Sequence, residues 1–468
     1  MPDTSQTGGP TAATILARLD RLPATRAVWT LVALLSLGGM FEFYDLFMTG
    51  YVVPGLVRAG LLANVAVGIF SGPALFVAAT FTGLFIGTFV FGFVADRYGR
   101  RSIFTYSLLF YCAATLVMAF QNSGVMVCLW RMIAGIGIGV ELVTIDTYIA
   151  ELVPKEIRGR AFAFNQTVQF AVVPVVAFLS WVLVPQAPLG INGWRWVVAI
   201  GSLGALFVWV LRRGVPESPR WLIQQGRLAE ADAIARDLEA RVVADRGGAP
   251  LPPPAAHPVE KAEAEGRFAE IWQPPYRSRT IMLMVFQFFQ TFGFYGFAAW
   301  VPTLIAQQTG INLGASLLYS FIIAIASPFG PLLAMSFADK VERKWQLVGA
   351  AIGVGGFGLL FSMQSAMAPL VVCGVLITLC NNILSNTFHG YQTELFPTRV
   401  RARAVGFTYS FSRISTVFAS FIIGFFLHTA GTTGVFGLIA FAMLMVVLSI
   451  GIFGPRTNDR ELEAISAH

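Results

Sequence analysis

The chain has 468 residues, of which 56% are hydrophobic and 12% are charged. Soluble globular domains carry about 25% charged residues, so this composition excludes a soluble multidomain protein and indicates a chain that crosses a bilayer repeatedly. The net charge is +7, and the excess basic residues lie in loops on one side of the membrane, as described below. Because membrane topology accounts for this charge, we predict no nucleic-acid partner.

The N-terminal segment is polar over residues 1–10, where we expect disorder. It lacks the basic-then-apolar order of a cleaved signal peptide, so we expect the first apolar stretch to be retained as a span. Residues 11–27 include ILARLDRLPATR, which predicts a short amphipathic helix on the membrane surface.

The chain contains twelve apolar stretches that are long enough to cross a bilayer. A transmembrane helix needs about 20 such residues. We number the stretches as spans 1–12, and their predicted starts are Val28, Val65, Ser102, Gly124, Ala161, Gly193, Thr280, Gly314, Trp345, Pro369, Arg403 and Gly431.

Basic residues concentrate in the N-terminal tail and in the loops that follow spans 2, 4, 8 and 10, whereas the opposite loops hold only Arg58 and Arg195. The positive-inside rule therefore places both termini and the long connection between spans 6 and 7 in the cytoplasm. Within that connection, PESPRWLIQQGRLAEADAIARDLEARVV has apolar residues at helical spacing, and GGAPLPPPAAHP is typical of a flexible linker.

Several chemistries are not supported by any motif. The four cysteines lie in predicted spans without CxxC spacing, so neither a disulfide framework nor a metal site is predicted. No phosphate-binding GxxxxGK[ST] loop and no hydrolase motif occurs, so we predict no cofactor and no enzyme activity.

An internal repeat divides the spans into two sets of six. ELVPKEIRGRAFAF begins at Glu151 and ELFPTRVRARAVGF at Glu394, an offset of 394 − 151 = 243 residues. GFVADRYGRR contains Asp96 and MSFADKVERK contains Asp339, and 339 − 96 gives the same 243. Two unrelated motifs with one offset indicate duplication. The predicted segments are a tail (1–27), a first half (28–212), a connection (213–279), a second half (280–454) and a final tail (455–468).

The motifs GFVADRYGRR, RMIAGIGIG, PESPRWL and ELFPTRVRARAVGF together resemble those of the major facilitator superfamily, over nearly the whole chain. The resemblance is strongest to bacterial metabolite:proton symporters of the branch that also holds sugar porters and organic ion transporters. It implies an all-α, monomeric protein of the bacterial inner membrane, with twelve transmembrane helices in two pseudo-symmetric six-helix halves around a central cavity. Span 7 lacks the glutamine and asparagine pattern of sugar porters, which disfavours a sugar substrate.

Charged residues inside spans 1 and 4 are the candidates for proton coupling. Asp45 and Glu42 lie near the middle of span 1, where a charge is expensive unless it faces a polar interior. Arg131 opens a glycine-rich part of span 4 and needs an acidic partner, for which Asp45 and Glu141 are available. The resemblance implies that Asp45 and Arg131 form the proton-coupling pair. A purely structural ion pair, or an arginine directed to the cytoplasm, is the alternative.

Arg413 lies ten residues into span 11, about 15 Å deep at 1.5 Å per residue. Its equivalent in the first half is Phe170, so the duplication did not impose this charge. A guanidinium in a central cavity can bind a carboxylate with two parallel hydrogen bonds. Arg413 is therefore the predicted substrate-anion ligand, and an ion pair with a core acid such as Asp146 is the alternative.

Further polar and aromatic residues in the spans are costly in lipid or suited to stacking, so we expect them to line the same cavity. These predicted substrate-binding residues are Tyr44, Gln166, Gln169, Phe170, Gln287, Gln290, Tyr295, Asn382, Asn386 and Tyr409.

Charged residues of the loop motifs are predicted to form a cytoplasmic gate that holds the two halves together when the cavity opens outward. The predicted gating residues are Asp96, Arg97, Arg100, Arg101, Asp146, Glu151, Arg158, Asp339, Arg343, His389, Glu394 and Arg401.

The sequence thus predicts a proton-coupled symporter for a small organic anion, such as a monocarboxylate, an aromatic acid or a sugar acid. A sugar or polyol symporter and a proton-coupled exporter are the alternatives within the transporter class. A non-transporting membrane sensor on the same fold is the alternative outside it.

Overall fold

We describe the protein from a computed structural model, over residues 11–63, 65–68, 70–91, 97–154, 157–211, 214–253, 267–337, 341–396 and 398–457. Within these ranges the chain is helical apart from one small hairpin, in which Ala66–Val67 pairs antiparallel with Phe70–Ser71. This hairpin is a departure from the all-helical expectation.

The first half contains six helices that cross the molecule, and their bounds agree with most of the predicted starts. Val65 is the exception, because span 2 begins only at Gly72, after the hairpin. The helices are span 1 (Arg26–Arg58), span 2 (Gly72–Phe91), span 3 (Arg100–Ala119), span 4 (Gly124–Leu152), span 5 (Arg158–Leu183) and span 6 (Gly193–Leu211).

The second half repeats the six spans with more interruptions. Spans 11 and 12 form one continuous segment bent at Gly431, whose φ of 63° requires glycine. The segments are span 7 (Tyr276–Ala298, continued by Val301–Thr309), span 8 (Leu313–Ala324 and Phe329–Phe337), span 9 (Arg343–Met363), span 10 (Met367–Glu394) and spans 11–12 (Thr398–Phe453).

The helix count agrees with the prediction of twelve spans. Ten helices of the described chain are long and apolar enough to cross a membrane, and the shorter Gly193–Phe207 adds one more. Dividing the bent segment at Gly431 gives 10 + 1 + 1 = 12.

Glycines let span 4 pack closely against its neighbours, as expected from RMIAGIGIG. A Cβ on Gly135 would lie 2.5 Å from the carbonyl oxygen of Thr80 in span 2, and a Cβ on Gly139 would lie 2.3 Å from that of Leu84. Gly137 faces span 3 instead, where an added Cβ would lie 2.8 Å from Cβ of Tyr111. These contacts hold the backbones together without larger side chains between them.

Span 8 is interrupted before Pro328, which cannot donate a backbone hydrogen bond. The side-chain amide of Asn382 in span 10 donates to the carbonyl oxygen of Ser327 at 2.8 Å. Asn382 therefore satisfies a backbone group at the break, which is a structural role that was not predicted.

The predicted N-terminal helix is confirmed as Ala12–Asp20, capped by Thr11. It packs on Leu228–Asp245 of the connection, another helix indicated by its apolar spacing. Two arginines of the tail bind two acids of this helix, and we call these four residues the terminal clamp: Arg18, Arg21, Asp232 and Glu239. The face of the molecule that carries the clamp is called the terminal face below. The predicted linker falls partly on residues 254–266, which lie outside the described ranges.

The terminal clamp should depend on pH. Burial alone would raise the pKa of Glu239, but hydrogen bonds and charge attraction from Arg18 and Arg21 outweigh it and lower that pKa below its ordinary value. Because the folded-state pKa is lowered, the clamp is fully stabilising above the ordinary pKa and is lost as pH falls through the lowered one. Hydrogen exchange, corrected for intrinsic rates, should show residues 15–21 protected at neutral pH and exposed under strong acid.

The substitution Glu239→Gln should lower the protection factors of these residues at neutral pH by about fivefold. That is the effect of losing about 1 kcal/mol, the stabilisation expected of a partly exposed ion-pair network. Glu230→Gln is the matched control, since Glu230 lies on the same helix and pairs with Arg227 outside the clamp. Equal protection in both variants would show that the charges of the clamp do not hold the N-terminal helix.

Candidate functional site

Arg131 and Asp45 form an ion pair inside the first half. The Nη1 atom of Arg131 lies 2.7 Å from Oδ2 of Asp45, and both side chains are almost fully buried. The sequence offers Asp45 and Glu141 as possible partners of Arg131, and in the structure the partner is Asp45. Glu141 itself is completely buried in span 4.

Every nitrogen of the Arg131 guanidinium has a hydrogen-bond acceptor. Nε donates to the hydroxyl of Thr80 at 3.0 Å, and Nη2 donates to Thr49 at 2.8 Å and to the backbone carbonyl of Asp45 at 2.7 Å. Thr115 donates to the other carboxylate oxygen of Asp45 at 3.2 Å. The pair thus joins spans 1, 2, 3 and 4, and removing either charge would leave the other buried without compensation.

Arg413 is also buried, with 4% of its surface exposed, but its surroundings differ. One terminal nitrogen donates to the hydroxyl of Tyr409 at 3.0 Å, and the guanidinium carbon lies 4.9 Å from the centre of that ring. Tyr295 of span 7 lines the same cavity and lies within electrostatic reach of the guanidinium. Nε of Arg413 has no hydrogen-bond partner among the described residues. The guanidinium therefore keeps donor capacity at the wall of a cavity.

This cavity, which we call the Arg413 cavity, lies between the two halves and has a volume of about 60 Å³. That is room for only a few water molecules, so an organic substrate needs the cavity to widen. Spans 1, 4, 5, 7, 10 and 11 contribute its lining: Phe43, Leu46, Leu142, Gln166, Gln169, Phe170, Gln290, Phe294, Tyr295, Ser385, Phe388, His389, Tyr409, Ser412 and Arg413.

Spans 5 and 11 each contribute three residues to the lining of the Arg413 cavity, at positions that are equivalent in the internal repeat. Each pair is separated by the same 243 residues that separate the loop motifs, since 409 − 166, 412 − 169 and 413 − 170 all equal 243. The duplication thus supplies a symmetric frame, and the side chains differ between the halves. The pairs are Gln166 with Tyr409, Gln169 with Ser412, and Phe170 with Arg413.

Two phenylalanines of the cavity wall, Phe170 and Phe294, pack together with Phe47 on one side of the cavity. Phe47 and Phe170 of the first half and Phe294 of the second half have ring centres 6.3–6.4 Å apart. We call them the aromatic partition. A second cavity of about 30 Å³ lies beyond them and includes Asn382 in its wall. The partition therefore separates two small cavities that both lie at the interface of the halves.

Some predicted substrate residues lie outside the Arg413 cavity. Tyr44 points to span 6, where its hydroxyl donates to the carbonyl of Val197 at 2.8 Å. The amide of Gln287 donates to Gln392 at 2.9 Å, and Asn386 is half-buried elsewhere on span 10. Asp45 does not line this cavity either, because it lies in the ion pair with Arg131 inside the first half.

Other lining residues were not predicted. Phe43 and Phe388 are two of the 41 phenylalanines of the chain, and nothing in the sequence separates them from those that face lipid. Ser385 and Ser412 also line the cavity, but small hydroxyl residues are common in spans. The repeat offset would have found Ser412, as the equivalent of Gln169.

Glu42 is the acid of span 1 that lies within electrostatic reach of Arg413. It is completely buried. Three residues separate it from Asp45, yet Asp45 pairs with span 4. Span 1 thus places one acid near the Arg413 cavity and another in the Arg131 ion pair.

The loop motifs form equivalent ion pairs in the two halves. Arg100 lies 3.0 Å from Glu151 in the first half, and Arg343 pairs with Glu394 in the second. The two arginines are 243 residues apart (343 − 100), and so are the two glutamates (394 − 151). Each pair lies within one half, so neither makes the expected bridge between the halves.

Besides the aromatic partition, contacts between the halves lie at the end opposite the terminal face. Gly50 approaches the backbone of Ala299 so closely that a Cβ would lie 2.4 Å from its carbonyl oxygen. Phe178 and Trp181 of span 5 stack with Phe321 of span 8 at 5.5 and 6.0 Å. In this state the described packing thus joins the halves away from the loop motifs.

The remaining predicted gating residues have varied positions. Arg158 and Arg401 are repeat equivalents, and each donates to a carbonyl five residues earlier, of Val153 and Phe396. Arg97 is exposed beside Tyr98, Arg101 is exposed at the start of span 3, and His389 lines the Arg413 cavity. Asp96, Asp339 and the side chain of Asp146 lie outside the described residues.

Comparisons with known proteins agree with this architecture. The sequence profile of the family described as "Sugar (and other) transporter" matches residues 31–468. YyaJ of Bacillus subtilis (strain 168), assigned provisionally to metabolite transport, is 30% identical over 95% of this chain and 96% of its own. The niacin transporter NiaP of Acinetobacter baylyi is 26% identical over 96% of this chain and 99% of its own.

Among solved structures, an inward-open conformation of the xylose transporter XylE from E. coli superposes with a TM-score of 0.73. The two chains are 20% identical, and the match covers 94% of this chain and 99% of XylE. This likeness establishes the shared fold. The profile match and the relatives show that the chain is a multi-pass membrane transport protein, not an enzyme, and that it belongs to the sugar (and other) transporter family of the major facilitator superfamily.

Proposed function

We propose that this protein is a symporter that moves a small organic monoanion together with a proton by alternating access. The observation that carries the proposal is Arg413, a buried guanidinium with remaining donor capacity in a cavity between the two halves. In a site of low dielectric, a charge-assisted bond to a carboxylate is strong and geometrically selective.

The walls of the cavity suit a flat acid. Phe43, Phe170 and Phe388 offer ring faces, and Gln166 and Gln290 offer amide donors and acceptors. Niacin, which the A. baylyi relative is named for, is an aromatic monocarboxylate of this chemical class. We therefore propose an aromatic or similarly compact monocarboxylate as the substrate class.

Span 1 provides the proposed link between proton and substrate. It carries Asp45 in the Arg131 ion pair and Phe43 and Leu46 in the cavity wall. Protonation of Asp45 would weaken its hold on Arg131 and release span 1 from span 4. The same helix would then shift the cavity wall, so that proton occupancy and cavity shape change together.

The proposed orientation places the terminal face in the cytoplasm, with the protein in the bacterial inner membrane. The support is the excess of Lys and Arg in the tail and in the loops on that side. Uptake would then carry the proton and the anion inward together. One proton with one monoanion moves no net charge.

Purified protein in proteoliposomes should therefore accumulate radiolabelled nicotinate, benzoate or another monocarboxylate when an inward proton gradient is imposed. A protonophore should abolish accumulation, and a potassium diffusion potential should change it little, because the transported complex is neutral. Protein-free liposomes are the control. Accumulation driven only by voltage, or export of the acid in exchange for inward-moving protons, would contradict the symport proposal.

A sugar or polyol is the second candidate substrate. Gln166, Gln169 and Gln290 favour it, since neutral amides suit hydroxyl groups. Competition separates the two candidates. A neutral sugar should not reduce nicotinate uptake if Arg413 binds a carboxylate, whereas a sugar transporter should be inhibited by sugars and not by acids.

A further inference from the structure

A crevice on the outer surface of the second half is not explained by transport. It lies between the start of span 7 and the end of span 12 and has a volume of about 950 Å³. None of the residues that line the Arg413 cavity contributes to it. The crevice is therefore a separate feature, at the terminal face.

Polarity changes along the length of the crevice. Arg277 and Arg456 are exposed at its mouth, whereas Ile281, Val285 and Leu448 form its walls further into the span. Eight residues separate Arg277 from Val285, which is about 12 Å at 1.5 Å per residue. The crevice thus offers positive charge at the depth of lipid headgroups and apolar surface at the depth of acyl chains.

The frame of the crevice is held by polar contacts. The hydroxyl of Ser449 in span 12 donates to the carbonyl of Met282 in span 7 at 2.8 Å. Arg279 donates to the carbonyl of Leu395 at 2.9 Å and lies 5.9 Å from the Tyr276 ring. The first contact joins spans 7 and 12 at the crevice, and the second ties the start of span 7 to the end of span 10.

Charge at the mouth is predominantly positive. Besides the arginines, Lys344 lies within electrostatic reach of both Arg456 and the acid Glu342. Glu342 accepts a hydrogen bond from the backbone of Thr457 at 2.8 Å. Among the described residues named here, one acid accompanies four basic groups (Arg277, Arg279, Lys344 and Arg456), a surplus of positive charge that a zwitterionic headgroup would not neutralise.

We propose that this crevice binds one phospholipid with an anionic headgroup. The phosphate would lie between Arg277 and Arg456, and an acyl chain would cover Ile281, Val285 and Leu448. Arginine pairs well with phosphate, and basic pockets between transmembrane helices on the cytoplasmic side suit anionic headgroups. Such a lipid would hold span 7 to span 12 at the terminal face.

The test compares lipid adducts by native mass spectrometry of detergent-purified protein titrated with phosphatidylglycerol or phosphatidylcholine. The variant Arg277→Gln with Arg456→Gln should bind phosphatidylglycerol about 30-fold more weakly, at about 1 kcal/mol per basic residue and 1.4 kcal/mol per tenfold change. Arg26→Gln with Arg160→Gln is the matched control. It removes two exposed arginines from the same face of the first half and should bind like wild type.

Three results would overturn the proposal. They are equal binding of both lipids by the wild type, an equal loss in the control variant, and equal binding of glycerol phosphate, which has no acyl chains. A thermal-shift titration with the same lipids gives an independent readout. Phosphatidylglycerol should raise the Tm of wild type and control, but not that of the double variant.

Discussion

Replacing Arg413 with alanine should raise the KM for the carboxylate substrate by about 30-fold or more, since truncating one partner of a buried charge pair costs about 2–5 kcal/mol. The effect is large because Arg413 is a buried arginine of the cavity wall with unused donor capacity. Tyr409 and Tyr295 would then face the carboxylate alone, and neutral hydroxyls cannot replace a bidentate cation. Initial rates of uptake into proteoliposomes measure this change.

Two further variants sharpen the interpretation. Arg413→Lys keeps the positive charge and loses the fork of donors, so it should recover only part of the affinity. Arg58→Ala is the matched control, because Arg58 donates to the carbonyl of Pro185 at 2.8 Å, away from the cavity. An unchanged KM in Arg413→Ala, with protein that elutes as folded, would remove the main support for an anionic substrate.

Hydropathy and the repeat predict most of the fold. Apolar length identifies the spans because a bilayer demands a minimum length of helix. The 243-residue offset between Glu151 and Glu394 identifies the halves, and in the structure it also relates the ion pairs of Arg100 and Arg343. The hairpin before Gly72 could not be found in this way, since its residues are as apolar as those of a span.

Helix rotation is what the sequence does not specify. The apolar residues of span 1 are spread around its whole circumference, so their pattern cannot tell which residues face the cavity and which face span 4. As a result Tyr44 is predicted to line the cavity, whereas Phe43 and Leu46 of the same span line it instead. Arg413 was placed correctly at the cavity because a buried charge permits few environments.

Amides in spans posed a similar problem. Gln166, Gln169 and Gln290 line the cavity, whereas Asn382 binds the broken backbone of span 8 and Gln287 binds Gln392. Lining a polar cavity and hydrogen bonding to another protein group both offset the free-energy cost of burying an amide in lipid. Composition alone therefore cannot distinguish a substrate ligand from a structural contact.

Replacing Asp45 with asparagine should abolish accumulation of substrate under an inward proton gradient. The variant lacks the proposed proton-carrying carboxylate, so the cavity could open to either side without a bound proton. Exchange of labelled for unlabelled substrate should persist and become independent of pH. Pyranine trapped in the vesicles should report that substrate no longer brings protons with it.

Stability must be measured alongside, because Asp45→Asn leaves Arg131 buried without its carboxylate. Breaking such a pair costs about 3–5 kcal/mol, so the Tm should fall. Arg131→Gln combined with Asp45→Asn removes both charges and should restore much of the stability but none of the accumulation. That separation would distinguish a coupling role from a purely structural one.

Thr115→Val is the matched control. It removes the hydrogen bond of 3.2 Å to Asp45 and leaves the carboxylate and Arg131 in place. Accumulation should persist in this variant, because the ion pair can still form and break. If Asp45→Asn concentrated substrate as well as Thr115→Val does, the proton would have to enter by another acid. Glu42 would then be the next to test, since it lies on the same span and within electrostatic reach of Arg413.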